Sequence, residues 1–168
     1  MNHTALVALI TALSGSQPDP VDPEQLATAV ETASRGNRDW AAMLLTVVAH
    51  EASFSDRIRR NEFRDKEADP KRVHGVLVHQ ASGLFQEHPN INNRDSWGSL
   101  DISVQVASGS RMLKRSYYSC ARGYPKNSPA SVWVAFTLNA YAGVRCGLQW
   151  SGLGERMATF QRIRSKLQ

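Results

Sequence analysis

Cysteine and long hydrophobic segments are both scarce in this chain of 168 residues. The apolar stretch near its start, residues 5–13 (ALVALITAL), is too short to cross a bilayer, which needs about 20 residues. No Lys or Arg precedes it and no convincing small-residue cleavage site follows, so we expect a short helix capped by Thr4. A degenerate signal peptide is the alternative. In the helical interpretation, residues 1–21 form an N-terminal helix and linker. We expect no membrane span.

The signatures of several common enzyme classes are also missing. His50-Glu51 begins a zinc-protease motif, but Phe54 stands where the second histidine is needed. The chain has neither a phosphate-binding Gly-Lys-Ser/Thr loop nor a Gly-x-Ser-x-Gly elbow. Its histidines show no compact ligand spacing, so we expect no metal and no cofactor. They are His3, His50, His74, His79 and His88.

What is present is the composition of one folded domain. Hydrophobic residues make up 42% of the chain, and the formal net charge is +5. This predicts a single domain over residues 1–168, which we expect to be a monomer. The positive charge favours an anionic partner or surroundings, such as an acidic wall polymer. Because the charges are scattered, without a basic block, we do not expect nucleic-acid binding, and a basic nucleic-acid-binding helical domain is the weaker alternative.

The two cysteines, Cys120 and Cys146, lie near the ends of two predicted elements. A disulfide between them is geometrically plausible and would stabilise the fold by about 3.5 kcal/mol in the chain-entropy model. Oxidation would indicate an extracytoplasmic setting. Two reduced core cysteines are the alternative.

Apolar periodicity and capping residues predict a mainly α (α+β) fold. Asp22 and Pro23 have the pattern of a helix start, and that helix should run to about Ser34. The segment 132–140 (VWVAFTLNA) is apolar nearly all round, which indicates a central, buried helix. One or two short strands are expected within residues 73–79. Other helices are expected over 39–54, from 99 or 101 to 118, and from about 154.

Glu51 is unusual because it continues an apolar stripe. The residues with the spacing of one helix face are Trp40, Leu44, Val47 and Val48, and extending that spacing reaches Glu51. Partial desolvation of a carboxylate favours its protonated form, which suits general-acid chemistry near neutral pH. The alternative is a structural ion pair with an arginine just downstream, at position 57, 59 or 60.

Three separated segments resemble motifs of the lytic transglycosylases and goose-type lysozymes. Residues 50–54 (HEASF) are similar to the family's Glu-Ser-x-Phe motif, and residues 82–86 (SGLFQ), followed by Pro89, to its Gly-Leu-Met-Gln segment. Residues 139–143 (NAYAG) look like its Ala-Tyr-Asn-Ala-Gly element. The order and context of the segments also match, and the resemblance covers residues 39–150.

This resemblance implies a lysozyme-like helical domain with a small β-hairpin or loop excursion after the catalytic helix. The family cleaves the β-1,4 bond between N-acetylmuramic acid and N-acetylglucosamine in peptidoglycan. Glu51 would be the general acid that protonates the glycosidic oxygen. In the transglycosylases the same carboxylate then acts as base, and a 1,6-anhydro sugar forms. The setting would be extracytoplasmic: secreted, periplasmic or phage-associated.

The resemblance also implies which residues contact the glycan. The amide of Gln86 would orient the sugar, the ring of Phe85 would provide an aromatic face, and the Tyr141 hydroxyl would lie near Glu51 or the substrate. Core packing is the alternative for both aromatic residues. The full set is Ser82, Phe85, Gln86, Asn139 and Tyr141.

The chain departs from the family pattern in two places. Ala52 replaces the usual Ser, and Tyr141 stands where the family has Asn. The stretch after Glu51 is also longer than usual and rich in acids. Glu62 and Asp65 are candidates for a second carboxylate that activates water, as in an inverting lysozyme. The alternative from another class is a non-catalytic peptidoglycan- or chitin-binding module.

Overall fold

The structure, a computed structural model, is mainly helical, as the sequence predicts. It describes residues 1–60, 62, 70–73, 76–79, 81, 83–87, 98–121, 127–143, 146 and 152–167. The helices within these ranges are α1 (His3–Ser14), α2 (Pro23–Ser34), α3 (Arg38–Glu51), α4 (Asp56–Arg59), α5 (Ile102–Ala121), α6 (Ala130–Tyr141) and α7 (Leu153–Lys166). Two short strands, β1 (Pro70–Val73) and β2 (Val76–His79), pair antiparallel. None of the described helices has the length and apolar character needed to cross a membrane.

Side-chain caps set the starts of four helices, α1, α2, α3 and α5. The carboxylate of Asp22 accepts hydrogen bonds from the backbone N–H groups of Glu24 and Gln25, at 2.9 and 3.1 Å, which confirms the predicted start of α2. Asp101 caps α5 in the same way. The prediction for α1 is wrong: Asn2 is the cap, and Thr4 lies inside the first turn.

The core is built around α3. All eight residues from Ala41 to Val48 are buried, because neighbouring helices, α7 and α2 among them, cover several of its faces. The central position that the sequence predicts for α6 therefore belongs to α3. In α6 the buried residues are Val134, Thr137, Leu138 and Asn139, and the remaining face is partly exposed.

The chain reverses direction just after Glu51. α3 ends there, three residues before the predicted end, and Ser53 and Phe54 have φ of 48° and 58°. The Phe54 side chain is buried, and its carbonyl accepts a hydrogen bond from Val21 N at 2.8 Å. The linker before α2 thus holds the turn, and the turn places Glu51 at the end of the central helix.

Cys120, near the end of α5, is disulfide-bonded to Cys146, after α6. The two Cα atoms are 5.4 Å apart, within the range that a disulfide needs. The predicted disulfide is confirmed. The bond therefore ties the end of α5 to the chain that follows α6, and these two helices also pack against each other.

Gly109 of α5 lies directly under the ring of Phe85. A Cβ atom at this position would be 2.2 Å from Cδ1 of the ring, far inside van der Waals contact. The ring and the helix backbone are both held by surrounding core, so neither can move away cheaply.

We expect Gly109→Ala to lower the free energy of unfolding by about 1–3 kcal/mol, as overpacking in a filled core does. Gly154→Ala in α7 is the matched control, because nothing lies within 4 Å of the position its Cβ would take. Removing a helical glycine should leave that variant unchanged or stabilise it by up to about 1 kcal/mol. Urea denaturation of both variants measures the difference, and equal stabilities would contradict the packing described.

Candidate active site

The three segments that resemble the glycan-cleaving family meet around Tyr141, the last residue of α6. Its hydroxyl donates a 2.6 Å hydrogen bond to the backbone carbonyl of Phe85. Burial, together with the nearby carboxylates of Glu51 and Glu87, raises the pKa of Tyr141 well above its ordinary value. The end of α3, the loop 83–87 and the end of α6 therefore lie next to one another.

Glu51 forms an ion pair with Arg156 of α7. Its Oε1 accepts a 2.6 Å hydrogen bond from Arg156 Nη2. The glutamate side chain is 22% exposed and the arginine side chain 9% exposed, so the pair has its acidic end toward solvent. A buried guanidinium requires such a partner, because an uncompensated charge in the interior is strongly destabilising.

The arginines downstream of Glu51 have other partners. Arg59 pairs with Asp56. Arg60 pairs with Asp19, Asp56 and Glu62. Glu51 thus forms an ion pair, as the alternative interpretation predicts. Its partner is not one of the nearby arginines but Arg156, which is 105 residues away in the sequence.

The loop 83–87 is fixed against α5 by hydrogen bonds. Leu84 N donates to Oε1 of the Gln105 side chain at 2.9 Å, and Gln105 Nε2 donates to Ser99 O at 2.6 Å. Gly83 has φ of +70°, and a Cβ there would be 2.7 Å from Gln105 Oε1, so glycine is required on both counts. At the other end of the loop, Ser108 Oγ donates to Glu87 Oε2 at 2.7 Å.

Of the residues expected to contact the glycan, some are buried in the structure and others are partly exposed. The Phe85 side chain is 1% exposed, and Asn139 is also buried, so both belong to the interior and neither provides an open surface. The aromatic face expected from Phe85 is therefore absent, because the ring packs on Gly109 instead. Gln86 and Tyr141 are partly exposed, although the Gln86 amide donates back to Gly83 O at 2.9 Å. Ser82 lies outside the described residues.

Of the two candidates for a second carboxylate, the structure describes only Glu62. Glu62 is exposed and pairs with Arg60 at 2.9 Å, while Asp65 lies outside the described residues. A second carboxylate near Tyr141, besides Glu51, is that of Glu87, which sequence reasoning missed. It is buried against Ser108, so it supports the loop and is not open to solvent.

Arg156 was also missed, although the sequence carries a signal for it. Its spacing to Phe160, Ile163 and Leu167, all buried, places it on the apolar face of α7. Glu51 has the same relation to the apolar stripe of α3. Two opposite charges, each on the buried face of a helix, are expected to neutralise each other when those helices pack.

His50 lies beside this pair, and its Nε2 is 3.1 Å from Thr159 Oγ1. Burial and the positive charge of Arg156 lower the pKa of His50 below its ordinary value of 6.5, against a smaller opposing effect of Glu51. The ring is therefore neutral at physiological pH. Within the described ranges, no group of three His, Cys, Asp or Glu residues could hold a metal ion.

The lowered pKa of His50 makes a prediction about stability. At pH values between the folded-state pKa of His50 and 6.5, the unfolded chain binds more protons than the folded chain does. The contribution of His50 to stability is therefore complete above about pH 6.5, and it is lost as the pH falls through the folded-state pKa. On going from pH 7.5 to 5, the Tm of the wild type should fall further than that of His50→Gln.

His3 gives a control of opposite sign. Hydrogen bonds to Glu24 and Glu31 raise its pKa, so its contribution is present below about pH 6.5 and is lost as the pH rises through its folded pKa. His3→Gln should therefore steepen the fall of Tm toward acid. Thermal melts at several pH values measure both effects, and parallel curves for wild type and His50→Gln would contradict the environment described for His50.

Comparison with known proteins does not assign a family. The chain matches no protein-family model, no curated protein and no solved structure. The case for a function therefore rests on the chemistry of the residues described above.

Proposed function

We propose that this protein cleaves the glycan strands of peptidoglycan at the β-1,4 bond between N-acetylmuramic acid and N-acetylglucosamine, with Glu51 as the general acid. The observation that carries the proposal is the meeting of Glu51, the loop 83–87 and Tyr141, three sites far apart in the sequence. These are the segments in which the chain resembles glycan-cleaving enzymes.

The position of Glu51 suits proton transfer to a substrate. One of its oxygens, Oε1, is engaged by Arg156, while the described residues place no hydrogen-bond partner on Oε2. With the side chain partly exposed, Oε2 is the oxygen that can reach a glycosidic oxygen. Protonation of that oxygen lets the sugar leave as an oxocarbenium-like state develops.

Tyr141 contributes through its neutrality and its fixed position. Because its pKa is raised, it stays protonated and adds no negative charge next to Glu51. Its proton is committed to Phe85 O, so the hydroxyl holds the loop in place beside the acid. Of the residues expected to bind glycan, Gln86 and Tyr141 are the two that we retain.

A non-catalytic peptidoglycan- or chitin-binding module is the second candidate. The observation in its favour is the ion pair, since Arg156 already neutralises Glu51 in the resting protein. A binding module would need the pair for stability alone. The partial exposure of Glu51 favours the enzyme, because it leaves the carboxylate within reach of a substrate.

The confirmed disulfide supports an extracytoplasmic setting, such as a secreted, periplasmic or phage-associated lysin. Disulfides persist in oxidising compartments, and peptidoglycan lies outside the cytoplasm.

We expect Glu51→Gln to reduce peptidoglycan cleavage at least 100-fold, because the amide keeps the shape of the side chain but cannot donate the proton. Glu155→Gln, an exposed neighbour of Arg156 on α7, is the control and should retain full activity. Dye release from labelled cell walls measures both.

Mass spectrometry of the products identifies the reaction: anhydro-muropeptides for a transglycosylase, products heavier by one water for a hydrolase. Undiminished cleavage by Glu51→Gln would refute the catalytic role, and wall binding without any cleavage by wild type would establish the binding module.

Arg156 is proposed as a positioning residue for Glu51. Arg156→Gln should lower kcat at least tenfold with little change in KM, because the carboxylate loses its fixed orientation while the glycan contacts remain. Arg156→Lys keeps the charge and should recover part of kcat, although one ammonium cannot reproduce the guanidinium geometry. Thermal melts of both variants separate loss of fold from loss of rate. If the two folded variants cleave as fast as wild type, the ion pair is structural only.

A further inference from the structure

A groove with a volume of about 690 Å³ lies between α2 and α5. Its wall includes small side chains from both helices, with Ala29 and Ala33 on α2 and Ala107 and Ser110 on α5. Neither Glu51 nor Tyr141 lines it, so it is separate from the candidate active site. The size is typical of sites that hold small ligands or short peptides.

The charged residues along this groove are separated by sign, with acids at one end and cations at the other. Glu24 and Asp101 lie at the N-terminal ends of α2 and α5, whereas Arg35 and Lys114 lie toward the C-terminal ends. Arg35 and Lys114 also share a second cavity of about 250 Å³, which shows that the two cations lie at the same end. The distance along α2 from Glu24 to Arg35 is about 16 Å, from 1.5 Å per residue.

The basic end carries the charge that is not neutralised internally. Arg35, Arg111 and Lys114 are exposed, and no carboxylate forms an ion pair with any of them in the part of the chain that the structure describes. At the acidic end, Asp101 is engaged as the cap of α5, and Glu24 is paired with His3. An occupant should therefore present carboxylates to the basic end.

The groove also has a connection to the candidate active site. Its Leu100–Asp101 end is tied to the loop 83–87 through Gln105, which donates to Ser99 O and accepts from Leu84 N. Arg59 strengthens this connection by donating to Leu100 O.

We propose that this groove binds the peptide stems of peptidoglycan, an inference that rests on the proposed function and names a second feature of the same substrate. Such stems are short, rich in alanine, and carry free carboxylates and one basic amino group. Four or five extended residues span about 13–18 Å, close to the length of the groove. Methyl side chains match the alanine-lined wall, and the carboxylates match the three cations.

The first test measures binding of a free tetrapeptide stem, L-Ala-γ-D-Glu-diaminopimelate-D-Ala, by calorimetry and by amide chemical-shift changes. We expect the shifts to be concentrated in α2 and α5. Arg111→Gln/Lys114→Gln should weaken binding about tenfold or more, while the control Arg162→Gln/Lys166→Gln, two exposed cations of α7, should bind as wild type does. Equal affinity of the two double variants, or no binding by wild type, would overturn the proposal. So would inorganic phosphate or a duplex DNA that displaces the peptide at equal concentration, since the groove would then be a general anion site.

The second test separates this inference from the proposed function. Wild type should cleave peptide-bearing glycan strands with a lower KM than strands whose peptides an amidase has removed, and Arg111→Gln/Lys114→Gln should lose this difference while still cleaving peptide-free strands. Cleavage of both strands with equal KM by wild type would refute the groove and leave the proposed function standing. If wild type cleaves neither strand, the proposed function is wrong.

Discussion

The ion pair between Glu51 and Arg156 is the interaction on which the candidate site depends. It joins the end of the central helix α3 to α7, and it places a carboxylate against a buried guanidinium. Because removing one partner would leave a charge in the interior, the pair constrains how α7 packs on α3. The same constraint fixes one carboxylate oxygen and leaves the other toward solvent. One contact thus constrains both the packing of the two helices and the orientation of the carboxylate.

The second element of the site is the short loop 83–87, and its position depends on α5. Gln105 holds one end of this loop and Ser108 holds the other, while Gly109 admits the ring of Phe85 between them. Tyr141 then connects the loop to α6. The small and polar residues on this face of α5 therefore make room for the loop 83–87 and hold it in place. Larger residues at these positions would exclude the loop. The groove on the other side of α5 uses small residues in the same way.

Much of the secondary structure could be predicted because its causes are local. The Asp22 cap, the end of α2 at Ser34 and the apolar spacing of α7 are all encoded within a few residues. Predictions failed where burial decided the outcome. Residues 132–140 are as apolar as a central helix, yet one face stays partly exposed, since the neighbours of a helix are set by the whole fold. Phe85 was expected to contact sugar, but a glycine 24 positions later gives it a place in the core.

The sequence by itself determined that the protein is mainly helical, that two cysteines could be joined, and that Glu51 is a charge on an apolar stripe. Periodicity and capping act over one or two turns, so they can be read without a structure. Only the tertiary structure decided which cation neutralises Glu51, which aromatic residue stays partly exposed, and which carboxylate besides Glu51 lies near Tyr141. Each of these depends on contacts between residues far apart in the chain, and such contacts are selected by the packing of whole helices and not by any local pattern.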